Sequence, residues 1–217
     1  MLLTIICSCF FYGCVSRITV KDKDYVRCVT DKAKQESRSR ELKRIYDEDQ
    51  GDREGSGFKS GAVFRDRKRR MRVAEIFGEG CFKTAEDYSN AAMVFQHGER
   101  PEHFWQAFQW AKKADSMGGD KSKKRMMALT VDRYLTSSGK KQLFGSQALL
   151  ANGEKCFCLY AVEPSFPASK RLEFMGATLE DQFKWVDSLN SGNKCPQKNF
   201  CSAALSPTPS GSIIGFW

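Results

Sequence analysis

Two histidines, His97 and His103, are the chain's whole supply of imidazole, and only one of them is set among groups that could do chemistry. His97 follows an Ala-rich stretch and precedes Gly98, which puts it at the C-terminal end of a predicted helix. The helix dipole there favours the charged ring and is expected to raise its pKa. To act as a general base, His97 needs an orienting carboxylate and a substrate within hydrogen-bond reach. Asp49, Asp87 and Asp132 are the acids available. Asp87 lies almost three turns back in the same helix, so the partner must come from another element. The plainer role for His97 is to cap its helix. Asp132 and Arg133 are neighbours whose side chains project about 100° apart on a helix, so each must reach a different element, such as Asp49 or Arg53. Arg133 serves either a structural ion pair or the recognition of an anion. Gln142, Ser146 and Gln147 stand where helix gives way to strand. There, amides satisfy buried backbone groups or line a polar pocket. Ser146 has no GxSxG setting and is a poor nucleophile. GDREGSG and FGEG lack the strand, Lys and Ser or Thr of a phosphate loop. With two histidines and no CxxC pair, neither a metal site nor a cofactor is expected. His103, close to Pro101, reads as a solvated first-turn residue.

The elements that must position these residues follow from apolar spacing. Residues 33–46 form a helix with a thin apolar face of Leu42, Ile45 and Tyr46, and DEDQGDREGSGFKSG follows as a polar loop. The block RDRKRRMR opens a helix over 67–77 and reads as a solvated face, with contact to anionic lipid headgroups as a second option. Thr84 and Asp87 form a capping box for the next helix, whose core positions are Tyr88, Ala91, Ala92 and Phe95. Pro101 starts another, with Phe104, Ala107, Phe108, Ala111 and Ala114 inward. A further helix covers 121–136. Asn152-Gly153 then predicts a hairpin turn between strands at 143–151 and 155–162. Residues 168–190 return to helix, and the Gly/Ser/Pro-rich 191–217 read as a poorly ordered tail. The expected fold class is α+β and predominantly helical, a helical bundle with a small β-hairpin. The expected layout is a leader at 1–16, a basic segment at 17–44, a single domain at 45–190 and the tail.

Composition limits the compartment and the partners. The 217 residues carry a net charge of +9, with 41% hydrophobic and 28% charged residues, which argues against a disordered chain or a multi-pass membrane protein. Residues 17–72 hold 18 Lys and Arg against 11 Asp and Glu. The basic block has no recognition motif or interleaved aromatics, so nucleic acid is not the expected partner. The uncharged run from Leu2 to Val15 is shorter than the roughly 20 residues of a spanning helix and suits a cleavable leader. Phe11-Tyr12-Gly13-Cys14 looks like a bacterial lipobox, which implies lipidation of Cys14. Val15 offers no acidic retention signal, and the resemblance then implies an outer-membrane lipoprotein facing the periplasm; periplasmic or secreted protein is the alternative. Six cysteines remain beyond the leader. Cys195 and Cys201 are near enough in sequence to close a small loop as a disulfide, while Cys156 and Cys158 would share one face of a strand, most simply as two small core residues; an oxidising compartment permits disulfides among the six without fixing their pairing.

The central motifs also carry a resemblance. Gln96-His97-Gly98, then Asp132-Arg133, Gly139, Gln142 and Phe144-Gly145-Ser146-Gln147, resemble a bacterial domain-of-unknown-function family with QHG and DR…G..Q.FG[TS]Q motifs. Asp49-Gln50…Arg53 resembles its acidic-Gln-Arg signature and Lys170-Arg171…Gly176…Leu179 its closing segment. Ser146 stands where the family pattern has Thr, and the likeness spans about residues 45–185. It implies a shared fold and a site built from Asp49, Gln50, Arg53, Gln96, His97, Asp132, Arg133, Gln142, Ser146 and Gln147, and no known activity. The stretch AAMVFQHGERPEHFWQAFQWAKKADSMGG is also similar to one Sel1-like helical repeat, which implies an interaction module. The expected function is therefore an exported, lipid-anchored envelope protein that binds an envelope protein or a small polar ligand. The alternatives are a metal-independent hydrolase or lyase, with His97 as base and Arg133 as anion clamp, and a Sel1-like module.

Overall fold

A computed structural model describes residues 28–54, 59–118, 120–150, 155–196 and 200–217. The leader with Cys14, and the Asn152-Gly153 turn, lie outside the described residues. The described chain forms seven helices and one two-stranded antiparallel sheet, a predominantly helical α+β fold. The helices are α1 Lys32–Gly51, α2 Ala62–Gly78, α3 Ala85–Gln96, α4 Pro101–Ser116, α5 Lys121–Ser137, α6 Ala168–Met175 and α7 Leu179–Leu189. No described helix is long and apolar enough to cross a membrane.

α3, α4 and α5 make the centre of the bundle, with α4 packed on both α3 and α5 and with α1 and α2 laid against α3. Alanines let these helices approach closely: Ala91, Ala92, Ala107 and Ala111 are buried, alongside Phe108, Val94, Val131 and Leu135. The Thr84–Asp87 capping box starts α3 as its sequence implies. The segment similar to a Sel1 repeat is the α3–α4 pair.

α1 runs through Gly51, beyond the helix expected at 33–46, and crosses the boundary drawn at residue 44. Paired charges four residues apart extend it, Lys43 with Asp47 and Arg44 with Glu48, and Asp49 is buried on its inner face. α2 likewise starts at Ala62, and its basic block is not a solvated face throughout. Arg69 and Arg70 are buried, and Arg69 bonds Asp66, Asp52 and the Glu48 carbonyl. Asp66 and Arg69, at i, i+3, share the inward side of α2 and meet the C-terminal end of α1 and its cap Asp52.

The hairpin is shorter than expected: β1 is Ala148–Leu150 and β2 is Phe157–Leu159, with Leu149 opposite Cys158. Residues 143–147 are taken by a loop wrapped around Asp132 instead. The expected Cys195–Cys201 bridge does not form. Cys195 pairs with Cys156 and Cys201 with Cys158, while Cys28 pairs with Cys81. Phe200 and Cys201 lie beside β2, where the Cys201 amide donates to the Leu159 carbonyl, and this sets Cys201 against the hairpin rather than against Cys195. Cys156 and Cys158 are therefore disulfide partners rather than small core thiols.

The C-terminal residues are docked rather than loose. Ile213 is buried, Phe216 stacks on Phe108 and Phe174, Trp217 packs on Phe166, and the Trp217 indole N–H donates to the Thr208 carbonyl. The last five residues are apolar apart from Gly215, and this outweighs the Gly/Ser/Pro-rich stretch before them.

Candidate functional site

Asp49 on α1 and His97 just beyond α3 meet where these helices pack. His97 Nδ1 lies 2.8 Å from Asp49 Oδ2. Asp49 has no exposed surface and also accepts from Gln50 Nε2 at 2.8 Å and Arg53 Nη1 at 3.0 Å. Arg53 is one turn along from Asp49 and is held in place by Asp66 of α2, Nη2 to Oδ2 at 2.6 Å. With an acceptor-only carboxylate at Nδ1, the neutral ring carries its proton there, and Nε2 keeps its lone pair. Nε2 makes no bond among the described residues, and the side chain retains 16% exposure.

Sequence reasoning expected the dipole to raise the His97 pKa. The structure reverses that direction. Burial pushes it below the ordinary imidazole value, the Asp49 bond and charge oppose this only in part, and Arg53 and Arg133 push it further down. A neutral ring with an unbonded Nε2 is the base form.

Arg133 approaches from α5. Its Nη1 donates to the Gln96 carbonyl at 2.7 Å and its Nε to Gln147 Oε1 at 2.8 Å. The Gln96 carbonyl belongs to the C-terminal end of α3, where the dipole welcomes a cation. No carboxylate among the described residues pairs with Arg133, and Nη2 makes no bond among them. Burial and the nearby Arg53 lower its pKa to about 10. A second guanidinium, Arg70 of α2, donates to the His97 carbonyl at 2.9 Å and pairs with Glu99.

Asp132 does not reach Asp49, Arg53 or His97. It is fully buried and accepts the backbone N–H groups of Leu143, Phe144 and Ser146 at 2.8, 3.1 and 3.0 Å. Burial raises its pKa to about 6 against the pull of those donors. It is a positioning residue for the 143–147 loop rather than a catalytic one. Gln142 closes the same loop, its amide donating to the Gln147 and Tyr160 carbonyls and accepting from the Gln147 N–H. Ser146 Oγ accepts from Gln147 Nε2, and Gln147 in turn holds Arg133. Gln96 donates to the Leu129 carbonyl, and its Oε1 is buried without a donor among the described residues.

The structure thus brings Asp49, Gln50, Arg53, Gln96, His97, Arg133 and Gln147 together, with Asp132, Gln142 and Ser146 one layer behind. Asp87 stays in its capping box, and half-buried His103 accepts from the Glu99 N–H and packs on Phe95 rather than standing in solvent. Sequence reasoning missed Asp52, Asp66, Arg69 and Arg70, which tie α2 to the end of α1 and to the end of α3; the i, i+3 spacing of Asp66 and Arg69 was the available signal. Cys28, Glu79 and Cys81 cluster with the spacing of metal donors, but the two sulfurs are joined to each other and offer no thiolate.

No protein-family model, curated protein or solved structure matches the chain.

Proposed function

We propose that the chain is a metal-independent hydrolase or lyase acting on an anionic substrate, with His97 as general base. The observation that carries this reading is the Asp49–His97 pair, joined at 2.8 Å on the Nδ1 side while Nε2 remains unbonded. Asp49 orients the ring and offsets the charge it gains on taking a proton. Arg133 is tethered at the end of α3, at the Gln96 carbonyl next in sequence to His97 and at Gln147, two neutral acceptors that leave one guanidinium nitrogen without a bond among the described residues. A buried cation without a carboxylate is uncomfortable, and a carboxylate or phosphate on the substrate relieves it while setting the reacting atom against Nε2. Water is the proton donor to His97 in the hydrolytic case, and an acidic carbon or hydroxyl of the substrate in the lyase case.

The test is turnover of a panel of carboxylate- and phosphate-bearing esters, amides and β-substituted acids, followed by mass spectrometry. Turnover should vanish in His97→Gln, and Arg133→Gln should raise KM more than it lowers kcat. A panel-wide lack of turnover, or turnover indifferent to His97→Gln, overturns the enzyme reading and leaves an anion-binding role.

We also infer export. Three disulfides support an oxidising compartment. Lipidation at Cys14, and with it an outer-membrane address, rests on the leader sequence alone. Labelling with a palmitate analogue, lost in Cys14→Ala, tests it.

A further inference from the structure

The outward face of α2 combines features that the candidate site does not use. Val63, Phe64 and Met71 are 60%, 61% and 55% exposed. They share that face with Arg67, Lys68 and Ala74, since residues 63, 67, 71 and 74 follow the i, i+4, i+8, i+11 line of one helical stripe. Lys68 lies over the Phe64 ring at 4.5 Å and makes no ion pair among the described residues. Beside this stripe a cavity of about 640 Å³ opens between α2 and the start of α4. Its lining mixes the apolar Met71, Ala74 and Phe95 with the basic Arg67 and Arg100 and the carboxylate of Glu99. Arg67 and Arg70 are partly neutralised by Glu99, whereas Arg100 is exposed and makes no ion pair among the described residues.

We propose that this face docks on an anionic lipid bilayer, with Val63, Phe64 and Met71 entering the interface and a headgroup phosphate taken up by Arg67 and Arg100, which line the cavity. A basic helix face that also exposes large apolar side chains suits the headgroup–acyl boundary, where both terms contribute. Phosphate contact alone would leave Val63 and Met71 without a role. That, and the disulfide-bearing fold, weigh against nucleic acid as the occupant. The chain's net charge of +9 adds long-range attraction to such a surface.

The experiment is co-sedimentation of the full chain with phosphatidylcholine vesicles, with and without phosphatidylglycerol. Because the apolar leader can enter either vesicle, the readout is the ratio of the two partition coefficients and its change in variants. The ratio should favour phosphatidylglycerol and fall with added salt. Lys68→Gln with Arg100→Gln should lower binding to the anionic vesicles on the order of thirtyfold, the effect of two basic residues at an anionic surface. Phe64→Ser with Met71→Ser should weaken it as well, with circular dichroism unchanged. Equal binding to both vesicles, or variants that bind like the parent, overturns the proposal. So does a dimer that dissociates on Phe64→Ser, which assigns the face to a second copy, or tighter binding to duplex DNA than to lipid. None of these outcomes bears on turnover at His97.

Discussion

His97 Nδ1 and Asp49 Oδ2 stand 2.8 Å apart although 48 residues separate them in sequence, and that bond ties the end of α3 to the inner face of α1. Asp49 serves His97, Arg53 and Gln50 at once from a fully buried position. Asp49→Ala should therefore lower stability by about 3 kcal/mol in urea unfolding, because it leaves a largely buried guanidinium without one of its carboxylates. Asp49→Asn should be milder, since it keeps an acceptor. A loss below about 0.5 kcal/mol for Asp49→Ala would mean that the pair contributes little to the fold.

The pH dependence of His97 has a definite sign. Its folded pKa lies below the ordinary value, so between the two values the unfolded chain binds the extra proton. This group's contribution is present above pH of about 6.5 and is lost as pH falls toward the folded pKa. Unfolding midpoints should drop on acidification through that window, and the drop should be smaller in His97→Gln. A His97 titration midpoint above 6.5, read from the ring proton by NMR, would contradict the burial argument.

Asp132 works in the opposite direction. Its pKa rises from about 3.9 unfolded to about 6 folded. The folded state thus binds the extra proton, and this group's contribution is full below about pH 4 and declines as pH rises to 6. Asp132→Asn should remove that decline. Asp132→Ala should be far more damaging, by about 3 kcal/mol or more, because it strands the Leu143, Phe144 and Ser146 amides. Loosening of the 143–147 loop should show as faster amide exchange at those three residues.

Helices were legible where apolar spacing and caps agreed, as with Thr84 and Asp87 for α3 and the alanine and phenylalanine stripe of α4. The far end of α1 was not, because DEDQG is polar and the reason for its helical state, burial of Asp49 against His97, lies in another element. The polar residues that meet around Asp49 and Arg133 were visible in the sequence, whereas the partners of Asp132 were not. Asp132 stands next to Arg133, but its three partners are backbone amides, which no side-chain pattern announces. The direction of the His97 shift was missed because the dipole is visible in sequence while burial, Arg53 and Arg133 are not. The cysteine pairing depended on Phe200 and Cys201 lying beside Leu159 of β2, a tertiary fact. The docking of the last five residues likewise depended on the aromatic surface offered by Phe108, Phe166 and Phe174.

Gly98 gives a steric prediction at the turn that carries His97. A Cβ added there would stand 2.4 Å from the Cβ of His103. Gly98→Ala should destabilise by about 1–3 kcal/mol, the range for overpacking. His103→Ala should not rescue it, since the clashing Cβ remains, whereas His103→Gly should restore part of the loss. Thermal denaturation of Gly98→Ala, alone and combined with each His103 substitution, tests this, and rescue by His103→Ala would mean that the ring rather than the backbone approach sets the constraint.

The geometry calls for a neutral His97 with its proton on Nδ1, an unbonded Nε2, and Arg133 held at the end of α3 by neutral acceptors alone. The most direct measurement is an imidazole ¹⁵N–¹H correlation spectrum at neutral pH, recorded with increasing acetate or inorganic phosphate. The account predicts the Nδ1–H tautomer, and an anion-dependent shift of the His97 signals that disappears in Arg133→Gln. An Nε2–H tautomer, or signals that ignore both anions, would contradict it.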